Sequence, residues 1–254
     1  MSDTVVLALR GALEQTLEAD CLAAARCADA GTKDIGALRV WYGGQPATVG
    51  DFFTVRGERS ARVRIEGQLD RVEGVGSGMA GGELVIEGNA GRDVGAHMTG
   101  GTIEIHGNAG DNAGGARPGA SRGMTGGEII IHGSAGPEAG ASMRRGLIVI
   151  GGDAGERAGR GMIAGSVVVF GTAARGAGRW TKRGTIVALG PIERPATFRY
   201  DCTYRPPHLR VTFIYLRTRY GLRIADRYVT GRYHRYSGDM AELGKGEILQ
   251  WAGE

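Results

Sequence analysis

The chain has 254 residues, enough for one large domain or for a domain with extensions. Lys+Arg 31 against Asp+Glu 27 leaves a formal net charge of +4, too mild to argue by itself for nucleic acid. Gly 47 stands far above ordinary usage of about 7%, yet there is no three-residue period to suggest collagen, and no apolar run approaches the roughly 20 residues that span a bilayer.

In chain order, the run from Thr4 to Arg10 reads TVVLALR and predicts a strand. Residues Glu14 to Ala30 are rich in alanine and leucine and predict a short helix, although Ala12 to Asp20 alternates enough for a strand. Asp29 to Ile35 reads as a second helical turn or a loop. Val40-Trp41-Tyr42 is expected in a core or at an interface, and Thr48 to Val55 leads into the next region.

From Val63 to Gly190 the chain repeats one pattern. A short apolar run ends in a glycine at Gly67, Gly88, Gly107, Gly133, Gly152, Gly171 and Gly190, with spacings of 21, 19, 26, 19, 19 and 19. Further glycines recur at plus three (Gly91, Gly110, Gly136, Gly155) and at plus seven (Gly74, Gly95, Gly114, Gly140, Gly159, Gly178). Methionine follows at plus ten in Met98, Met143 and Met162, displaced in Met79 and Met124. A fixed period near 20 is a solenoid signature. Helical repeats are disfavoured, because each interior glycine costs about 1 kcal/mol against alanine. The runs are short and β-branched, as in Ile129-Ile130-Ile131 and Val167-Val168-Val169, so they read as strands paired from repeat to repeat. The expected fold is all-β: a single-stranded parallel β-helix of about seven coils of roughly 19 residues, about 4.8 Å apart. Residues 1–60 then form a small α+β cap over the open end, 61–191 the glycine-rich β-helix and 192–254 a C-terminal extension. Corner glycines supply positive φ, and the methionines fill irregular gaps in the core.

The third repeat carries seven extra residues around Gly114 to Arg122, and solenoid insertions often mark a binding face. Past Pro191 the pattern stops. Leu209 to Leu216 reads as β-rich, and arginines interleave with tyrosines from Arg194 to Tyr236. These residue types are enriched at protein interfaces. The residues expected to dock a partner are Arg117, Arg122, Arg217, Arg219, Tyr220, Arg232, Tyr233, Arg235 and Tyr236. Tyr236 to Gly253 combines turn residues with a final strand-like run that contains Trp251.

No catalytic constellation emerges. The glycine segments lack the strand–turn–helix setting of a phosphate loop. Cys21, Cys27 and Cys202 cannot all pair and show no metal-ligand spacing; with no secretory leader visible, a reducing, cytoplasmic setting is expected. His97, His208 and His234 are scattered. His106 and His132 share one slot in adjacent coils, but no carboxylate or cysteine is visible to complete a metal site, so none is expected. Glu66, Glu87 and Glu104 are expected to face solvent. Asn89 and Asn108 form a small turn ladder, each bonded to its own backbone.

The units GGELVIEGNAGRDVGAHMTGG and GGTIEIHGNAGDNAGG resemble the glycine-rich β-helix of the formylmethanofuran dehydrogenase C subunit, and that repeat is similar to the C-terminal domain of the glutamate synthase large subunit. The flanking TVGDFF at Thr48, FRYDCTYRPP at Phe198 and RYSGDMAELGKGEILQW at Arg235 resemble the bacterial version, the C subunit of the formyltransferase/hydrolase complex of methylotrophs. The resemblance implies a structural subunit of a cytoplasmic complex. That complex moves a formyl group between tetrahydromethanopterin and a methanofuran-type cofactor and releases formate. Its partners would be a formyltransferase, an amidohydrolase-like hydrolase and a further structural subunit. No catalytic residue or metal ligand carries over, and no cofactor is expected on this chain alone. Arg217 and Arg219 could hold a glutamate-rich cofactor chain. The rivals are the C subunit of a molybdenum/tungsten formylmethanofuran dehydrogenase, an independent β-helix acyltransferase, disfavoured by the 19-residue period, and a glutamate synthase-like domain, disfavoured by the missing amidotransferase and flavin domains.

Overall fold

A computed structural model describes residues 4–253. Each apolar run forms a strand, and each finds its partners in the repeats on either side. The N-terminal part holds β1 (Val5–Leu9), β2 (Leu17–Glu18), α1 (Ala24–Cys27), α2 (Thr32–Gly36), β3 (Arg39–Tyr42), β4 (Gln45–Thr48), α3 (Val49–Phe52) and β5 (Phe53–Arg56). The repeats supply β6 (Arg62–Glu66), β7 (Val72–Glu73), β8 (Glu83–Ile86), β9 (Thr102–Ile105), β10 (Glu128–Ile131), β11 (Leu147–Ile150), β12 (Ser166–Val169) and β13 (Arg183–Ala188). The C-terminal part adds β14 (Arg199–Tyr204), α4 (Pro207–Tyr220), α5 (Asp226–Thr230), β15 (Tyr233–Gly238) and β16 (Lys245–Trp251). The chain is mostly β, and no described helix is long and apolar enough to cross a membrane.

One 12-stranded sheet runs in the order β14-β15-β16-β13-β12-β11-β10-β9-β8-β6-β1-β5. It is parallel from β1 through β16, with antiparallel strands only at its two ends. Leu84, Ile103, Ile129, Ile148, Val167, Ile186 and Ile248 stand in one file across it. A second file of parallel bridges runs through Leu69, Ala90, Ala109, Ala135, Ala154, Ala173 and Ile192, each two residues past an anchor glycine. A smaller sheet, β4-β3-β2-β7, forms from the N-terminal part and the first repeat. The strand expected at Thr4–Arg10 is β1. Glu14–Ala30 holds both a strand, β2, and a helical turn, α1, and Asp29–Ile35 contains the start of α2. Val40 is buried, while Trp41 beside it is exposed.

The glycines divide by task. The plus-seven glycines all have positive φ; Gly95, at +64°, faces a core so narrow that an added Cβ would lie 2.6 Å from Ile129 Cδ1. Most anchor glycines have ordinary φ and are required by close approach instead: a Cβ on Gly88 would sit 2.5 Å from the Gly67 carbonyl oxygen. All five methionines of the pattern are buried in the core, as expected. The 26-residue repeat keeps register, since Ile129 still pairs Ile103. Its extra residues loop out between Gly114 and Met124, and the Met124 N–H closes the loop by donating to the Gly114 carbonyl at 2.8 Å. The asparagine ladder exists, with one correction. Asn89 Oδ1 accepts from the Asn108 N–H and Asn108 Oδ1 from the Ser134 N–H, both at 2.8 Å, so each side chain serves the next repeat and not its own backbone. Burial pushes the pKa of the Cys21 and Cys27 thiols up to about 11, which favours the protonated form.

The largest correction concerns Leu209–Leu216, which is helical within α4. Pro207 takes the first helical position and Gly221, at φ +63°, ends the helix in the left-handed region. Leu209, Phe213, Leu216 and Tyr220 make the buried stripe at helical spacing, whereas the β-branched Val211 and Ile214 that suggested a strand face outward.

Two outcomes follow. Gly88→Ala should destabilise the fold by about 1–3 kcal/mol in chemical denaturation, because the backbone of the preceding repeat must move. Asp239 fastens the β15–β16 connection to the last repeat, accepting from the Trp180 N–H at 2.8 Å and the Ala241 N–H at 2.9 Å. Burial alone would raise its pKa, but bonds from Thr197, Ala241 and Trp180 outweigh burial and hold it below the ordinary value. That contribution is present above the unfolded carboxylate pKa and lost as pH falls through the folded one. Asp239→Asn should therefore destabilise at neutral pH, with the gap to wild type narrowing in acid in pH-dependent denaturation.

Candidate docking surface

The sheet has two faces with different fates. In β6 and β9 the residues between the inward-facing positions are Arg64 and Glu104; in β10, β11, β12, β13 and β16 they are Ile130, Val149, Val168, Val187 and Leu249. Continuous apolar runs of that kind belong to a sheet covered on both sides. The cover is α4. Leu209, Phe213, Leu216 and Tyr220 pack on the outward residues of the later strands and build a second core, separate from the one inside the repeats. Two ties pin the helix end. The Tyr215 hydroxyl donates to Glu128 Oε2 at 2.8 Å, and the Tyr220 hydroxyl donates to the same oxygen. Burial, with the bond to Glu128 added, holds the Tyr220 phenol far above its usual pKa.

The far side of α4 is bare. Val211 is 69% exposed, Ile214 47% and Tyr215 40%. A cleft lined by Pro206, Pro207, Val211 and Val229, with Arg205 and Arg210, continues this apolar strip. Exposed apolar side chains flanked by arginine are the usual make-up of an interface centre.

The residues expected to dock partners fall into two groups. Tyr220 and Tyr233 are buried, and the Tyr233 hydroxyl donates to the Tyr228 carbonyl at 2.7 Å, so neither ring is free for another chain. Most of the arginines hold this chain to itself. Arg217 pairs with Asp226 at 2.8 Å, Arg219 with Glu83, and Arg235 with Glu247 at 3.0 Å. Arg232 donates to the Thr203 carbonyl at 3.2 Å, and the Arg194 guanidinium stacks 3.7 Å over the Tyr236 ring. Arg117, in the inserted loop, turns inward: it donates twice to Asp20 at 2.6 Å, and its Nε lies 3.4 Å from Asp93. Arg122 is exposed on the same loop. The arginine–tyrosine pattern thus marks mainly how the tail grips the sheet, and the bare strip on α4 lay outside the expected set. Its signal was present: Val211 and Ile214 share a helical face opposite the buried stripe, with Tyr215 at its edge.

The fold and this surface define a class: stacked glycine-punctuated repeats completed by a C-terminal helix that carries an uncovered apolar strip. No family model matches the sequence. The chain is similar to one component in the crystal structure of the formyltransferase/hydrolase complex (FhcABCD) from Methylorubrum extorquens in complex with methylofuran, at 32% identity and a TM-score of 0.79, covering 98% of this chain and 100% of that one. It is also 37% identical over 95 residues to the C subunit of molybdenum-containing formylmethanofuran dehydrogenase 1 from Methanosarcina barkeri (strain Fusaro / DSM 804); the match takes in 35% of this chain and about a third, 32%, of that relative's length. The chain belongs to the family of C subunits of formyltransferase/hydrolase and formylmethanofuran dehydrogenase complexes.

Phe213 is the centre of the second core. Phe213→Ala should cost about 3–5 kcal/mol in equilibrium denaturation, and hydrogen exchange should rise first in α4.

Proposed function

We propose that this chain is a non-catalytic structural subunit of a formyltransferase/hydrolase complex, and that its stacked repeats form a single-stranded parallel β-helix of about seven coils. The complex would transfer a formyl group between tetrahydromethanopterin and a methanofuran-type cofactor and release formate in one-carbon metabolism. The catalytic work falls to partner chains, a formyltransferase and an amidohydrolase-like hydrolase, beside a further structural subunit, in the cytoplasm. One observation carries the reading: the end-to-end correspondence with one chain of a multi-subunit formyltransferase/hydrolase complex. The bare strip on α4 supports it, because exposed apolar side chains grouped on one helix face are characteristic of a surface that another chain covers.

The partner-binding part of the surface is Val211, Ile214 and Tyr215, with Arg122 on the inserted loop as a second contact. Arg217 and Arg219 are less suited to hold an acidic cofactor chain, since Asp226 and Glu83 already pair them. Val211→Glu with Ile214→Glu should leave the thermal midpoint of the isolated chain unchanged within a few degrees, since both side chains are exposed. The same pair should abolish co-elution with the formyltransferase and hydrolase subunits from its native host. Wild-type chain that elutes without partners, or turns over formyl substrate unaided, would refute the assignment.

A further inference from the structure

The slot just before each anchor glycine faces outward and reads Glu66, Glu87, His106, His132, Gly151, Phe170 and Leu189 along the stack. Glu104 points to the same face from the middle of β9, two residues before His106. The carboxylate that the sequence did not reveal beside the two histidines is therefore supplied by the alternation of the strand. Glu104 and His132 are both partly buried, which corrects the expectation that Glu104 simply faces solvent.

Three donor atoms converge there. His132 Nε2 lies 2.8 Å from Glu104 Oε1, and His106 Nε2 lies 3.7 Å from the same oxygen. The imidazole rings stand 5.2 Å apart at 86°, and the three ligand atoms all lie within 4.8 Å of one another. Zinc bonds of about 2.0–2.1 Å in tetrahedral geometry set neighbouring ligand atoms about 3.3 Å apart, a separation the two measured distances bracket. The other nitrogen of His106 is also engaged: Nδ1 lies 2.7 Å from Glu87 Oε2, and Glu87 Oε1 is in turn 3.4 Å from Arg64. A carboxylate on the far nitrogen is the usual support of a metal-ligating histidine, because it fixes the ring and aims Nε2 at the ion. On the far side of His132 the slot holds Gly151, with no side chain, and a pocket opens between His132, Gly151, Phe170 and the α4–α5 connection.

We propose that Glu104, His106 and His132 form a binding site for one divalent transition-metal ion of the zinc class, with Glu87 as the positioning residue for His106. Two histidine nitrogens and one carboxylate oxygen favour zinc over the hard cations magnesium and calcium, which prefer all-oxygen shells. The ion would clip β9 to β10, the two strands separated by the long third repeat. The site is independent of the complex assignment, because its ligands all come from this chain.

The test uses the full-length, untagged protein, stripped with chelator and titrated with Zn²⁺ by calorimetry and with Co²⁺ by visible absorption. One equivalent should bind, with the intense visible bands of four-coordinate cobalt, and zinc should raise the thermal midpoint. His106→Gln with His132→Gln should lose both signals. Glu87→Gln should weaken binding about 10- to 100-fold while keeping the cobalt spectrum, and His208→Gln should change neither. Wild-type protein that takes up no cobalt overturns the proposal whatever the variants do, as does a double variant that binds as tightly as wild type.

Discussion

The molecule depends on one constraint: every strand in the repeat region must draw its backbone partners from the repeat before and the repeat after. A single repeat has no hydrophobic interior of its own and no means of satisfying its own N–H and C=O groups. Register is therefore shared by all of them, and a slip in one would turn its apolar residues to the wrong face. The unbroken file from Leu84 to Ile248 shows how strictly this holds. It persists across the repeat with seven extra residues, because the surplus leaves the stack at Gly114 and returns at Met124.

The same constraint sets the residue choices. Backbones about 4.8 Å apart leave no volume for a Cβ where the turns nest, so glycine stands at the anchors and alanine two residues later. Inside, long side chains alternate with glycine and alanine in a narrow cross-section, and methionine fills the remainder. The outer face carries the difference between the two halves of the stack. Early strands carry charged residues there, Arg64 in β6 and Glu104 in β9 on either side of Val85 in β8, and pair charges across repeats, as Arg64 does with Glu87. Later strands place valine, isoleucine and leucine there and need α4 to cover them.

Much of this was legible in the sequence, since a period with glycine at fixed offsets has few physical solutions. The strand positions, the buried methionines, the asparagine file and the looped-out insertion all follow from spacing. What spacing could not show was the outer face. Ile130, Val149, Val168 and Val187 read simply as strong strand formers, when in fact they signal a second layer. Leu209 to Leu216 misled for the converse reason: Val211 and Ile214 favour strands locally, but Pro207, Gly221 and the buried stripe decide for helix. The docking residues are the hardest to assign from sequence. Arginine and tyrosine are common to interfaces and to the seams within one chain, and composition does not tell these apart. Glu104 escaped notice beside the histidines because it lies two residues from one and 28 from the other, a proximity created only by stacking.

At both ends of the large sheet the parallel pairing stops: β5 runs antiparallel to β1, β15 antiparallel to β16, and β14 antiparallel to β15. A stack of near-identical units is by nature a template for its own growth, because its last parallel strand offers the surface on which one more copy could settle. Here the last parallel strands among the described residues, β1 and β16, are each already paired on their outer side with an antiparallel strand of the same chain. The place where one more repeat would stack is thus occupied at each end by the chain's own strand, which makes a potentially endless architecture finite.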